Sequence, residues 1–263
     1  MMIQPFVLRR EKKHVLNDLQ DKVETDLYSQ LTEEQKTVYI AHLRQMQKSF
    51  SGMSKEKLNQ NRISILAGLT RLRQICCHPK LFIEDYEGDS GKLIQALDLI
   101  QTAKANGSRI LLFSQFTGMP SILEEELANL GVETFYLRGS TPISKRQEMV
   151  ERFNRGEKDV FLISLKAGGT GLNLTGADTV ILYDLWWNPA VEAQATGRAH
   201  RMGQKKKVEV WRLISEGTVE EKMNRLQLEK KELFQQVLNS EDVKALNKMT
   251  IEDIQDILDV GIE

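Results

Sequence analysis

The spacing of hydrophobic residues in this chain changes near Gly91. Before it, the segment LTEEQKTVYIAHLRQMQ opens with Thr32 and Gln35 in the reciprocal arrangement that caps a helix. The segment NRISILAGLTRLRQICCHP then sets Ile65, Leu66, Leu69, Leu72 and Ile75 on one stripe until Pro79 stops it. Two long projecting helices are predicted, with the polar stretch SFSGMSKEK as the turn between them. After Gly91, apolar and β-branched residues gather in short runs separated by helical segments: RILLFSQF, ETFYLRG, DVFLISL, TVILYDL and VEVWRLI. Strands spaced by crossover helices form a parallel sheet buried on both faces, with ligand loops beyond the strands' carboxyl ends. Those exits read SQFTG, RGSTP, KAGGTGLN and DLWWNPA. Past Gly217, TVEEKMNRLQLEKKELFQQVL predicts a charged amphipathic helix bracing the sheet, followed by a short acidic tail. The fold class is α/β, a three-layer sandwich around a mainly parallel sheet, with an N-terminal helical protrusion and a C-terminal brace helix.

Length and charge narrow the functions available. With 263 residues, 41% of them hydrophobic, the chain can bury a substantial core. Its 36 basic and 37 acidic residues nearly cancel, which excludes a uniformly cationic coat for nucleic acid but leaves room for a local basic groove. The start MMIQPFVLRREKK lacks the apolar core of a signal peptide, and no later run reaches the length of a membrane span, so an intracellular soluble chain is expected. The two cysteines, Cys76 and Cys77, are adjacent and cannot staple distant segments. With His78 they suggest a metal, but a site needs three or four convergent ligands and the sequence offers no second cluster.

The stretch AQATGRAHRMGQ raises the sharper question. Gln194, Arg198 and Arg201 fall at helical spacing just after WWNPA, so three polar heads are expected to converge on one anion. Paired guanidinium forks match phosphate oxygens and stabilise charge on a transferring phosphoryl group; the plain alternative is a solvated basic face. The chain nevertheless lacks a phosphate loop of its own. GDSGKL, Gly88 to Leu93, has the wrong glycine spacing, no hydroxyl after Lys92 and no strand before it, so it reads as a helix start. Glu84 and Asp85 read as a solvated loop.

At this point the residues become familiar. QATGRAHRMGQ resembles motif VI of the superfamily-two helicase-like ATPases, and its AHRxGQ ending resembles that of the Swi/Snf family of DNA-translocating ATPases. In the same order, ILLFSQFTGMPSILEEEL resembles motif IV, YLRGSTPISKRQEMVERFN the segment after it, and VFLISLKAGGTGLNLTGADTVILYDLWWNP motif V. PFVLRREKKHVLNDLQDK and LRQICCHP resemble the stretch between the family's two lobes, and the likeness extends to about Leu238. One departure is Gly197, where this family usually has Asp, which puts a local salt bridge in doubt.

The resemblance implies the second of two RecA-like lobes. It implies an interlobe linker and protrusion over residues 1–90, lobe two with motifs IV, V and VI over 91–216, and a brace helix and tail over 217–263. ATP and Mg would be held mainly by an absent first lobe. Across the cleft, Arg198 and Arg201 would act as arginine fingers, with Gln194 in a supporting catalytic role, while Gly171 and Asn173 approach the nucleotide. A groove tracking double-stranded DNA would use Ser114, Gln115, Arg138, Gly139, Lys166, Gly169 and Thr170, largely through backbone contacts. Of Trp186 and Trp187, one is expected in the core and one, Trp186, near the groove. The run Lys205 to Lys207 reads as a solvated turn. The fragment alone would be inactive, and the family-like sequence present from the first residues suggests a piece of a longer protein. Two rival readings are lobe two of an RNA helicase, against which AHRxGQ and the protrusion argue, and a non-catalytic module that binds DNA or protein.

Overall fold

The computed structural model describes residues 21–164, 171–229 and 250–259. Six strands form one all-parallel sheet: β1 (Lys22–Ser29), β2 (Ile110–Ser114), β3 (Thr134–Leu137), β4 (Val160–Ser164), β5 (Thr179–Leu182) and β6 (Val208–Ser215), in the order β1-β6-β5-β2-β4-β3. Because every pairing is parallel, all carboxyl ends lie along one edge. The chain leaves β2 toward one side of the sheet and β5 toward the other, so the crevice between their ends is the topological switch point where such sheets place ligands.

The five predicted apolar runs became β2 to β6 for a simple reason. Along β2, Ile110 and Leu112 face one helical layer while Leu111 and Phe113 face the other, and all four are fully buried. The first layer contains α4 (Gly91–Ala105) and α5 (Met119–Asn129); the second contains α6 (Ile143–Asn154) and α7 (Pro189–Thr196). The sixth strand, β1, went unpredicted. KVETDLYS carries acidic residues at an exposed edge, with Val23 and Tyr28 partly in water, so it has no apolar run to betray it.

The helical protrusion consists of α1 (Glu33–Phe50), α2 (Lys55–Gln60) and α3 (Arg62–Cys77). Thr32 caps α1 reciprocally with Gln35, and Ile65, Leu69, Leu72 and Ile75 form the buried stripe of α3. Against this stripe pack α8 (Val219–Glu229), through Val219, Met223 and Leu226, and α9 (Ile251–Leu258), through Ile254, Ile257 and Leu258. The apolar face of α8 therefore braces the protrusion, while Asn224 and Glu220 tie the same helix to Arg212 and Ser215 of β6, so it braces the sheet as predicted and the protrusion as well. The remainder of the predicted brace, 230–238, lies outside the described residues.

A buried polar knot joins protrusion to sheet. Lys92, on α4, pairs with Glu220, on α8, both side chains fully buried. Ser90 Oγ and Tyr183 Oη donate to the carbonyl of Cys77 at 2.7 and 3.0 Å, and the Val219 N–H donates to Tyr39 Oη at 2.9 Å. GDSGKL is indeed a helix start: a Cβ at Gly91 would lie 1.8 Å from the Gln30 carbonyl, so only glycine fits where α4 begins. Cys76 and Cys77 are buried free thiols whose pKa values burial pushes up. Among the described residues no helix is long and apolar enough to cross a membrane.

Candidate functional site

The arginine stretch begins from a well-made helix start. Asn188 accepts the Ala190 N–H at 3.0 Å, and Pro189 fills the first helical position. The helix α7 then ends at Thr196, so the expected helical face carrying Gln194, Arg198 and Arg201 does not form; both arginines sit in the turns that follow. The cause is competition for the backbone. The carbonyl of Arg198 accepts the Leu174 N–H at 3.0 Å, and Gln204 Nε2 donates to the carbonyls of Ala177, Thr175 and Ala199 at 2.7, 3.2 and 3.2 Å. Thr196 Oγ1 also donates back to Ala193 O at 3.2 Å. These bonds pull the chain across the end of α7.

The turn nevertheless brings the arginines together. Arg198 is buried, with its guanidinium 5.6 Å from the Phe113 ring centroid. Burial, and then the like charge of Arg201, lower its pKa to about 10. Arg201 is exposed, and its Nη1 donates to the Leu172 carbonyl at 3.5 Å. That contact places it beside Gly171 and Asn173, both exposed, with Gly171 at a φ of +109° that side chains rarely adopt. Asn173 presents its carbonyl to Asn154 Nδ2 at 2.8 Å. Gln194 is exposed on α7. The site thus pairs a desolvated guanidinium with an exposed one next to a glycine-opened loop, an arrangement suited to an anion.

At the switch point, the protein's own side chains fill the crevice. Gln115 donates its N–H to Asp184 at 3.2 Å and its Nε2 to Asp184 Oδ2 at 2.5 Å and to Leu185 O at 3.0 Å. Arg73, buried on α3, reaches the same Leu185 carbonyl and lies 5.6 and 5.5 Å from the Phe116 and Trp187 rings. Ser114 is fully buried, its Oγ accepting the Phe116 N–H at 3.2 Å. Both Trp186 and Trp187 are in the core, at 1% and 3% exposure. The expectation that Trp186 stands near a groove is therefore corrected: its N–H is held by Glu192 at 2.9 Å and its carbonyl by Gln227, which turn its ring inward.

Further along the edge, the Arg138 and Gly139 turn is exposed. Arg138 lies over Tyr136 and pairs with Glu124 at 2.9 Å, and Arg146 donates to the Gly139 carbonyl at 2.9 Å. Lys166, Gly169 and Thr170 lie outside the described residues. An open cleft of about 490 Å³ beside the β2 exit is lined by Gln74, Lys80, Gln115, Phe116, Thr117 and Gly118. Arg73, Asp184, Glu192 and Gln204 carry no mark in the sequence: they are inward polar groups whose spacing resembles that of solvated ones. Among the described residues no three His, Cys, Asp or Glu come together to hold a metal.

An all-parallel sheet flanked by helices, with paired arginines beside a glycine loop at its edge, defines a RecA-like domain of the kind found in ATP-driven motors. Comparison with known proteins agrees. The helicase conserved C-terminal domain matches residues 91–203 and the SNF2-related domain residues 1–81. The Sulfolobus solfataricus SWI2/SNF2 ATPase C-terminal domain superposes with a TM-score of 0.74 at 31% identity, over 92% of this chain and 100% of that one. The core of that ATPase, in complex with double-stranded DNA, gives 0.77 at 34% identity, over 99% of this chain and 55% of that one. Among curated relatives, a Mycoplasma pneumoniae ATP-dependent helicase of uncharacterised role is 39% identical over 95% of this chain and 24% of its own length. The mouse SWI/SNF-related matrix-associated actin-dependent regulator of chromatin subfamily A member 1 is 39% identical over 84% of this chain and 22% of its own. The chain belongs to the Swi2/Snf2 family of ATP-dependent helicases and translocases, and it matches the C-terminal part of the ATPase core. It spans about a quarter of the length of the curated relatives it matches.

Proposed function

We propose that this chain is the second motor lobe of an ATP-dependent translocase on double-stranded DNA, contributing half of a composite ATP site. The observation that carries the reading is the arginine turn: a buried guanidinium at Arg198, its basicity lowered by burial and by Arg201, beside Gly171 and Asn173. Concentrating two like charges costs energy until an anion arrives. Phosphates held by a first lobe, with their magnesium, would be that anion. Arg198 and Arg201 then stabilise charge on the transferring phosphoryl group, Gln194 orients polar contacts near it, and closure of the lobes gates turnover.

DNA is gripped along the strand-exit edge. The exposed Arg138 and Gly139 turn, together with Lys166, Gly169 and Thr170, meets phosphates without reading sequence. Ser114 and Gln115 shape the wall from inside, holding the β2 exit against Asp184. The division into a linker and protrusion (1–90), a lobe (91–216) and a brace (217–263) follows, with β1 carried by the linker segment. Double-stranded DNA in the complex of the Sulfolobus relative supports DNA over RNA as the track.

The test is ATP hydrolysis by this chain mixed with a separately made first lobe, with and without duplex DNA. DNA-stimulated turnover that Arg198→Ala and Arg201→Ala each abolish is the expected result. Normal turnover by the Arg201→Ala chain would overturn the reading.

A further inference from the structure

A chain of charges runs from the edge strand β1 to Glu192 on α7, the helix that precedes the arginine turn. In register, Asp26 of β1 lies across from Arg212 of β6. Arg212 Nη1 donates to Asp26 Oδ1 at 2.8 Å and Nη2 to Asn224 Oδ1 at 2.9 Å, while Asn224 Nδ2 donates to Asp26 Oδ2 at 2.9 Å. These three side chains form a closed ring. The third face of the guanidinium, Nε, lies 3.3 Å from Glu192 Oε2, on α7. The other oxygen of Glu192 accepts the Trp186 N–H at 2.9 Å, in the loop that delivers the chain into α7. Glu192 is buried, so its carboxylate depends on these partners for its position.

We infer that Asp26, Arg212 and Glu192 form a positioning relay through which the docked β1 strand sets the orientation of α7 and the arginine turn. The physical argument is geometric. A guanidinium is rigid and planar, so once Asp26 and Asn224 hold two of its nitrogens, its charge is fixed in place 3.3 Å from Glu192, which it meets as an ion pair and not through a directed hydrogen bond. The attraction of that fixed charge favours the position in which Glu192 also accepts the Trp186 N–H. Two residues past Glu192 comes Gln194, and Arg198 follows in the turn just beyond the end of α7. Gln227 closes the same loop from α8 by holding the Trp186 carbonyl. The segment whose sequence resembles the stretch between lobes thereby controls where the finger residues point. Its consequence for catalysis rests on the function proposed above.

Amide hydrogen exchange on this chain, comparing Asp26→Asn and Glu192→Gln with the unsubstituted protein, tests the relay directly. Both changes keep shape and a hydrogen-bonding oxygen while removing charge. Asp26→Asn is expected to speed exchange at Trp186, Gly197, Arg198 and His200 roughly tenfold while leaving Leu111 to Phe113 of β2 unchanged, because members of one polar network couple whereas distant sites do not. Wild-type exchange at those amides, or acceleration spread equally over β2, would overturn the inference. Mixed with the first lobe, Asp26→Asn should lower kcat for ATP with half-saturation by DNA unchanged, and Asp26→Glu should restore it. Should the unsubstituted mixture show no turnover, the composite-site reading falls while the exchange result still decides the relay.

Discussion

Two of the buried cations, Lys92 and Arg198, sit under opposite electrical conditions. Burial works against the charge of Lys92, but Glu220, through its charge and its hydrogen bond, together with Cys77 and Cys76 more than offsets it, and the lysine's pKa rises. Arg198 is also desolvated, but the charge bearing on it is that of Arg201, and its pKa falls to about 10. The first arrangement is complete within the fold and ties α4 to α8. The second becomes more favourable when an anion is brought to it. Burial alone therefore does not separate a structural cation from a functional one; the sign of the neighbouring charge does.

The comparison is broken most sharply by substitution. Arg201→Ala should slow ATP turnover in the two-lobe mixture by about 10³-fold or more, with the urea midpoint unchanged because the side chain is exposed. Lys92→Met should have the opposite profile, destabilising the chain by about 3–5 kcal/mol in urea unfolding by stranding a buried carboxylate. Adding Glu220→Leu should recover most of that loss. Arg198→Met should cost less than Lys92→Met, since the charge it removes lies next to another of its own sign. A loss as large as that of Lys92→Met would erase the distinction.

Glu192 sharpens the same contrast with pH. Burial first, opposed by Arg212 and the Trp186 N–H and reinforced by Glu24 and Asp184, raises its pKa from 4.5 to about 7. A raised carboxyl binds its proton more tightly in the folded state. Its contribution is therefore fully present below pH 4.5 and lost as pH rises through 7, a change of about 3 kcal/mol. Glu192→Gln should flatten that part of the stability profile measured by denaturant unfolding from pH 4.5 to 8. The smallest effect belongs to Arg138. Breaking its exposed pair with Glu124 by Arg138→Gln should shift stability by less than about 1 kcal/mol, yet reduce the salt dependence of DNA binding by about one phosphate's worth.

How much of this was legible in the sequence depends on what each residue faces. Strands buried on both faces announce themselves as apolar runs, so β2, β4 and β5 were readable, and β3 and β6 were readable from their alternating buried and partly exposed β-branched, aromatic and apolar residues. The edge strand β1, with Glu24 and Asp26 among its residues, follows no such pattern. The arginine pair was found by its spacing, but its helical placement was wrong, because Gln204 and Leu174 claim backbone groups from elsewhere in the chain and spacing cannot anticipate long-range partners. Trp186 failed for the same reason. Its environment is set by Glu192 and Gln227, and Gln227 lies 41 residues away. Arg73 and Glu192 share the polar identity of their solvated neighbours, and only the packed structure shows that they point inward.

The pairing of β1 with β6 also has a consequence for the order in which the molecule is made. Asp26 and Arg212 are 186 residues apart, so on a ribosome adding about 5–20 residues per second the first strand waits roughly ten to forty seconds for its partner to exist. Through that interval its backbone groups are an open template for any other extended segment. Lys22, Glu24 and Asp26 keep the waiting strand soluble and unattractive to a like neighbour. The acidic side chain that later anchors Arg212 thus first serves the nascent chain as a guard against premature pairing.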